Sequence, residues 1–275
     1  MVQQRIRGGG GIELALRISG PADGRPIVFL HGFGQSGLSW RHQWNAPALA
    51  GCRIVCLDLR GHGASDRPAD EAAYQDGRLW AEDVAAVIQA VGLERPVLVG
   101  WSYGGFVIGD YLHAFGDGAL GGVVYAGAAL RIGSDEANAL LGPDLLGNLP
   151  GMIDPDLASN VAATRRFVRA CATAQVDPED LETALIQTAM VPMAARRGLL
   201  FRQNSYDDAV AGLRVPTLIV HGTDDRLVLF ETAEIMARLQ PSATLERYVG
   251  IGHMPFAEAA DRFNADLGGF VAALD

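Results

Sequence analysis

The chain has 275 residues, 49% of them hydrophobic, which suits one large domain or one domain that carries a sizeable insertion. Its 22 basic and 32 acidic residues give a formal net charge of −10. Such a surface repels phosphate backbones and anionic membranes, so we expect neither a nucleic acid nor a membrane as partner. The three cysteines, Cys52, Cys56 and Cys171, are too few for a disulfide scaffold, and their spacing matches no metal site.

The N-terminal residues MVQQRIRGGGG contain no apolar segment of the kind found in signal peptides. No stretch of the sequence reaches the roughly 18 apolar residues that a transmembrane helix needs. We therefore expect a cytoplasmic protein.

Short apolar segments that end in glycine or a turn residue predict the strands. The first segment alternates partly between apolar and polar residues, whereas the next five are continuous and rich in Val, Ile and Leu. Continuous apolar runs of this length are typical of strands buried on both faces of a mostly parallel sheet. The predicted strands lie at 12–18, 26–30, 53–59, 96–100, 121–127, 216–222 and 244–249.

Helical patterns lie between these strands. In 80–91, the apolar residues fall at 80, 84, 87, 88 and 91, which is one face of a helix. Further helices are predicted at 106–115, 230–239 and 256–270. Because strands and helices alternate, the sequence predicts an α/β fold with a doubly wound, mostly parallel sheet flanked by helices.

This alternation stops between residues 131 and 205, where no strong strand pattern appears. Asp154-Pro155 and Asp177-Pro178 each place an acidic N-cap before a proline at the first helical position. The stretch is also rich in Leu, Ala and Met. We interpret residues 131–205 as a helical cap, or lid, inserted into a core formed by residues 1–130 and 206–275.

In an open α/β sheet, ligands bind beyond the carboxyl ends of the strands, so the residues after each predicted strand are candidates for chemistry. Ser102 follows the strand at 96–100, between Gly100-Trp101 and Tyr103-Gly104. The G-x-S-x-G pattern places a serine on a sharp strand-to-helix turn, and the glycines let neighbouring backbone approach it. The backbone N–H groups of a helix N-terminus favour developing negative charge there. Ser102 is therefore the candidate nucleophile.

The loop after the strand at 26–30 reads His31-Gly32-Phe33-Gly34. Two glycines around one residue let such a loop turn tightly and point an N–H group into the site. The backbone N–H groups of Phe33 and of Tyr103, the residue after the candidate nucleophile, are the predicted donors of an oxyanion hole.

Two later loops supply an acid and a base. Asp224 and Asp225 follow the strand at 216–222, and either carboxylate can hold a histidine in one tautomer. Gly252-His253 follows the strand at 244–249, on a glycine-rich loop before a helix. His253 is the candidate general base.

These motifs resemble those of the α/β-hydrolase superfamily, and the resemblance extends over nearly the whole chain. The matching motifs are HGFG at 31–34, DLRGHGAS at 58–65, GWSYGG at 100–105, HGTDD at 221–225 and GH at 252–253. Their order of serine, acid and histidine is also that of the superfamily. There the acid lies three residues after the glycine of the HG-x-x-D loop, which implies Asp225 rather than Asp224. Some members carry the acid after the preceding strand, but YAGAAL at 125–130 contains none.

Other polar residues of these motifs, and the remaining histidines, are interpreted as structural. They are Asp58, Arg60, His62, His31, His42, His113 and His221.

The resemblance and the serine at position 102 imply acyl transfer through an acyl-enzyme, with no cofactor and no metal. Related haloalkane dehalogenases and epoxide hydrolases carry aspartate at this position, so we do not expect those activities. We expect a serine hydrolase, a carboxylesterase, whose partner is a small-molecule ester. The apolar character of 138–153 favours small to medium apolar substrates.

Other reactions on the same three residues stay open. Cofactor-free haloperoxidases, or perhydrolases, often carry proline soon after the oxyanion residue, where Gly34 stands in this chain. Carbon–carbon bond hydrolases often show a glycine-proline run that GFGQSG lacks. Lactonases are a further alternative. A non-catalytic ligand-binding homologue, as among plant hormone receptors of this fold, is another.

Overall fold

The structure, a computed structural model, describes residues 1–173 and 176–274. Its strands form one large sheet and one short two-stranded ribbon. In chain order the strands are β1 (Val2–Arg7), β2 (Glu13–Ser19), β3 (Arg25–Leu30), β4 (Cys52–Asp58), β5 (Val97–Trp101), β6 (Gly122–Ala126), β7 (Arg131–Ile132), β8 (Asn204–Ser205), β9 (Thr217–Gly222) and β10 (Thr244–Tyr248).

The large sheet has eight strands in the order β1-β2-β4-β3-β5-β6-β9-β10. β2 pairs antiparallel with both β1 and β4, and the other neighbouring pairs are parallel. Every residue of β5, β6 and β9 is buried, as expected for continuous apolar strands covered on both faces. The predicted α/β fold with a mostly parallel sheet is confirmed.

The register of the parallel strands brings their carboxyl ends to one edge of the sheet. Leu30 at the end of β3 is opposite Gly100 of β5, and Tyr248 at the end of β10 is opposite Gly222 at the end of β9. The loops that follow β3, β5, β9 and β10 therefore begin side by side. These loops carry the candidate functional residues.

The helices flank this sheet, and those between β7 and β8 make up much of the described part of residues 131–205. They are α1 (Ala72–Gln75), α2 (Gly77–Val91), α3 (Gly104–Phe115), α4 (Asp135–Asn138), α5 (Pro143–Leu146), α6 (Leu149–Met152), α7 (Leu157–Ala170), α8 (Pro178–Met190), α9 (Met193–Leu200), α10 (Asp207–Ala211), α11 (Glu231–Leu239), α12 (Pro255–Glu258) and α13 (Ala260–Ala272). None of the helices within 1–173 and 176–274 is long and apolar enough to span a bilayer.

Of the two predicted acidic N-caps, one is confirmed and one is displaced, and one predicted helix is divided in two. α8 begins at Pro178, and the Asp177 side chain accepts a hydrogen bond from the Glu179 N–H, as the Asp177-Pro178 pair predicts. The prediction for Asp154-Pro155 was wrong by two residues, because Asp156 caps α7 by accepting from the Ser159 N–H. The predicted helix at 256–270 is two helices, which separate at Ala259, where ψ is 50°.

Residues 131–205, called the insertion below, begin and end at β7 and β8, which pair with each other. The buried guanidinium of Arg196 joins several helices of the insertion. It donates to the carbonyl oxygens of Val191, Thr188 and Met152 and to the amide oxygen of Asn160. The acceptors in these four hydrogen bonds are all neutral, and burial lowers the pKa of Arg196.

Candidate active site

Ser102 lies at the turn between β5 and α3 in a backbone conformation that is uncommon for serine. Its φ angle is +53°, in the left-handed region. The turn is tight enough to require glycine on both sides. A Cβ atom at Gly100 would lie 2.6 Å from the Gly104 carbonyl oxygen, and one at Gly104 would lie 2.4 Å from the Leu30 carbonyl oxygen. This geometry agrees with the sharp elbow expected from the G-x-S-x-G motif.

The loop after β3 lies directly against Ser102. A Cβ atom at Gly32 would come within 3.1 Å of the Ser102 Cβ atom. Among the residues that the structure describes, neither the Phe33 N–H nor the Tyr103 N–H donates a hydrogen bond. Both residues line the same cavity as Ser102. Two unpaired donors beside a serine hydroxyl are the elements of an oxyanion hole.

Two buried histidines support this loop. His62 Nε2 accepts a hydrogen bond from the Gly34 N–H at 3.2 Å, and His31 Nε2 accepts one from the Leu59 N–H at 2.9 Å. The Nδ1 atoms of the same histidines lie 2.9 Å from the carbonyl oxygens of Arg60 and Gly32, so each ring is neutral with its proton on Nδ1. Burial lowers the pKa of His31 to about 4 and that of His62 to about 3.

The hydroxyl of Tyr103 contacts residues at the C-terminal end of the insertion. Its hydroxyl donates to the Leu199 carbonyl oxygen and accepts from Arg202 Nη1 at 3.4 Å. Arg202 in turn forms a buried ion pair with Asp110 of α3 at 2.6 Å. The end of the insertion thus contacts both α3 and the residue that follows Ser102.

The structure places Asp225 beside His253. Asp225 Oδ2 and His253 Nδ1 are 2.7 Å apart, and both side chains are buried. The other carboxylate oxygen, Oδ1, accepts from the N–H groups of Leu227 at 2.9 Å and Val228 at 3.0 Å. Burial alone would raise the pKa of Asp225, but the charge and hydrogen bonds of His253 and His221 outweigh it and hold that pKa well below its usual range.

Asp224, the alternative acid, is exposed, and its Oδ1 accepts from the Thr223 hydroxyl. The geometry therefore favours Asp225, as the superfamily resemblance implies. Because an ionised carboxylate only accepts hydrogen bonds, His253 donates to Asp225 from Nδ1, and in this tautomer of the neutral ring Nε2 is the acceptor.

The backbone of His253 is held from two sides. The indole Nε1–H of Trp101 donates to the His253 carbonyl oxygen at 2.8 Å, and the His253 N–H donates to the Cys171 carbonyl oxygen at 3.1 Å. The sequence interpretation assigned Trp101 no role. The available signal was its indole N–H, because a buried tryptophan N–H usually needs an acceptor.

Ser102 and His253 line one apolar cavity of about 130 Å³. Its volume is close to that of cavities known to hold one benzene ring. The wall combines residues of the sheet loops with residues of the insertion, and its polar members include Arg131 and Asn138. The apolar lining residues include Phe33, Phe106, Leu141, Leu145, Leu149, Phe167, Leu200, Leu227 and Val228.

Comparison with known proteins finds similar solved structures and similar curated proteins. The esterase RhEst1 from Rhodococcus sp. ECU1013 has a crystal structure that matches with a TM-score of 0.91 and 33% identity, over 100% of both chains. The non-heme chloroperoxidase of Streptomyces lividans is 29% identical over 268 residues, which are 92% of this chain and 93% of that protein. The bifunctional esterase/perhydrolase DCH of Acinetobacter calcoaceticus is 29% identical over 277 residues, 95% of this chain and 96% of that protein.

The family model described as alpha/beta hydrolase fold matches residues 25–260. This range spans the strands from β3 to β10 and every residue of the site described above. The chain therefore belongs to the alpha/beta hydrolase fold family.

Proposed function

We propose that this protein is a serine hydrolase that cleaves carboxylic esters of small to medium apolar substrates. Ser102, Asp225 and His253, here called the triad, carry the reaction. The observation that supports the proposal most strongly is the 2.7 Å contact between Asp225 and His253 at the wall of the cavity that Ser102 also lines. The φ angle of +53° at Ser102 is the second support, because strained backbone is concentrated at functional sites.

In the first half of the reaction, His253 Nε2 takes the proton of the Ser102 hydroxyl as the oxygen attacks the ester carbonyl carbon. The carbonyl oxygen becomes an oxyanion, and the N–H groups of Phe33 and Tyr103 donate to it. The bond to the leaving oxygen then breaks, and protonated His253 gives its proton to the departing alcohol. The acyl group remains on Ser102.

In the second half, His253 takes a proton from a water molecule that attacks the acyl-enzyme. The oxyanion forms again between the same N–H groups. Its collapse releases the carboxylic acid, and His253 returns the proton to Ser102. Asp225 holds the imidazole in one tautomer and stabilises its positive charge in both halves.

The apolar cavity supports the substrate class. Its aromatic and aliphatic lining favours an apolar acyl or alkyl group, and its volume of about 130 Å³ favours a short one. Because Leu145, Leu149 and Phe167 of the insertion form part of this wall, we propose that residues 131–205 act as a lid on a core of residues 1–130 and 206–275.

Perhydrolysis is the second candidate, because relatives of this chain include a chloroperoxidase and a bifunctional esterase/perhydrolase. One feature of the loop argues against it. Gly34 has φ of +75° and donates its N–H to His62, and proline can do neither. The proline that many perhydrolases carry near this position therefore has no equivalent at Gly34.

Hydrolysis of p-nitrophenyl acetate, butyrate and octanoate tests the proposal, with wild type, Ser102→Ala and Ser39→Ala compared. We expect loss of Ser102 to lower kcat by roughly 10⁴-fold or more, because triad members act as a unit. Ser39→Ala is the matched control and keeps wild-type turnover. Wild-type rates in Ser102→Ala would refute the proposal.

A second assay tests perhydrolysis. Peracid formation from acetate and hydrogen peroxide at a rate above that of ester hydrolysis would favour perhydrolysis instead.

A further inference from the structure

The carboxylate of Glu258, at the end of α12, is bound to the loop that carries His253. Its Oε2 accepts from the Gly252 N–H at 3.1 Å, and its Oε1 accepts from the Met254 N–H at 3.1 Å. These two residues flank His253 in the sequence. One side chain therefore holds the backbone on both sides of the candidate base.

The same carboxylate also binds the insertion. Oε2 accepts from the Thr173 N–H at 2.8 Å and from the Thr173 hydroxyl at 2.6 Å. Two residues earlier, the Cys171 carbonyl oxygen accepts from the His253 N–H. Residues 171–173 of the insertion and residues 252–254 of the base loop are thus joined by one direct hydrogen bond and by the Glu258 bridge.

The bridge requires a carboxylate and close backbone approach. The donors are three N–H groups and one hydroxyl, and both oxygens of the side chain accept. A glutamine amide in this place would set its NH₂ group against an N–H donor. The donors that contact the Glu258 carboxylate in these four hydrogen bonds are all neutral groups. A Cβ atom at Gly252 would lie 3.0 Å from Oε1 and 3.2 Å from the Thr173 nitrogen, so the loop has no space for a larger residue without movement.

We propose that Glu258 is a positioning residue that couples the insertion to the base of the reaction. Glu258 sets the position of His253 relative to residues 171–173, and the placement of the insertion thereby sets the geometry of proton transfer. This inference rests on the proposed function, because it takes His253 as the base that acts on Ser102.

Glu258→Gln tests the coupling, with Glu231→Gln as the matched control on an exposed carboxylate at the start of α11. Because a misplacement of about 1 Å in a catalytic group can cost about 10²-fold, we expect kcat to fall roughly tenfold to a hundredfold. KM stays within about twofold, since Glu258 is not among the residues that line the cavity. The control keeps both constants.

Proton NMR distinguishes a positioning role of Glu258 from a general contribution to protein stability. The proton NMR resonance of His253 Nδ1–H reports its contact with Asp225, and we expect it to shift or broaden in folded Glu258→Gln but not in Glu231→Gln. A wild-type kcat together with an unchanged resonance in folded Glu258→Gln would overturn the inference.

A pair of substitutions at Thr173 decides the matter if Glu258→Gln does not fold. Thr173→Val removes only the hydroxyl donor, whereas Thr173→Ser retains it. We expect kcat to fall roughly threefold to tenfold in the valine variant, about the net contribution of one hydrogen bond, and to recover in the serine variant. Equal kcat values for both Thr173 variants and wild type would overturn the coupling.

Failure of this inference and failure of the proposed function can be distinguished. If Ser102 proves dispensable for hydrolysis, the proposed function itself fails. If Ser102 is required but the Glu258 and Thr173 variants keep wild-type kcat, only this inference is refuted.

Discussion

The indole Nε1 of Trp101 lies 2.8 Å from the carbonyl oxygen of His253, and this hydrogen bond joins the residue before the candidate nucleophile to the candidate base. The two residues are 152 positions apart in the chain. The aromatic rings of Trp101 and His253 also lie close together, with centroids 5.6 Å apart. The turn that carries Ser102 and the loop that carries His253 are therefore joined by a direct hydrogen bond, and both line the same cavity.

Trp101→Phe should weaken catalysis while the aromatic packing is retained. The variant loses the hydrogen bond to His253 but can still pack against Phe256. We expect kcat to fall roughly threefold to tenfold, the equivalent of one hydrogen bond, with KM within about twofold of wild type.

Trp40→Phe is the matched control, because Trp40 is equally buried and its Nε1 has no partner among the described residues. Steady-state kinetics of both variants and their thermal unfolding provide the comparison. An equal loss of kcat in the two variants would show that lost ring volume, and not the hydrogen bond, causes the effect.

Asp225→Asn and Asp224→Asn distinguish the two adjacent acids. The asparagine at 225 can present an N–H group to His253 and favour the wrong tautomer, so kcat should fall on the order of 10⁴-fold. Asp224 is exposed and contacts Thr223, so its variant should keep wild-type kcat. A large loss in Asp224→Asn with normal rates in Asp225→Asn would reverse the assignment of the acid.

Stability should depend on pH through His31 and His62. Their pKa values are about 4 and about 3 in the folded protein, against about 6.5 in an unfolded chain. The unfolded state therefore binds more protons between these limits. The contribution of the two histidines is complete above about pH 6.5 and is lost as the pH falls toward about 4 for His31 and about 3 for His62.

Urea unfolding between about pH 4.5 and 6.5 measures this effect. We expect each histidine to add up to about 1.4 kcal/mol per pH unit to the slope of the unfolding free energy, with the full value near pH 5. His62→Asn should reduce the slope by about one proton, whatever its effect on absolute stability. An unchanged slope in that variant would mean that His62 is not a buried neutral group.

Leu145 should limit the size of the acyl group. It lines the cavity, whereas the neighbouring Leu146 does not and is 38% exposed. In Leu145→Ala, the ratio of kcat/KM for octanoate to that for acetate should rise roughly tenfold, because added space admits a longer chain. Leu146→Ala should leave this ratio unchanged. If wild type, Leu145→Ala and Leu146→Ala all show the same ratio, the acyl group does not bind against Leu145.

Much of the sheet and the site follows from local patterns. Continuous apolar runs predicted β3, β4, β5, β6 and β9 to within one or two residues at each end, because burial on both faces demands such runs. The glycines around Ser102 predicted its sharp turn. The proposed site residues follow the predicted strands directly, so the sequence predicted them at the carboxyl edge of the sheet. β1 was not predicted, because its residues VQQRIR are mostly exposed and show no apolar pattern.

Contacts between distant segments were not predictable in the same way. The bond from Trp101 to His253 and the bridge from Glu258 to Thr173 join residues whose spacing carries no local signal. The cap of α7 is a smaller example. Asp154 and Asp156 both suit an N-cap, and only the folded backbone shows that Asp156 reaches the Ser159 N–H.

The most direct test of the central claim is to map the residue that reacts with a fluorophosphonate probe. Mass spectrometry of the labelled and digested protein should find one adduct, on Ser102, in wild type and in Ser39→Ala, and none in Ser102→Ala. Asp225→Asn should react much more slowly, since its base is held in the wrong tautomer. An adduct on another residue, or ester hydrolysis that persists while Ser102 remains unlabelled, would contradict the account.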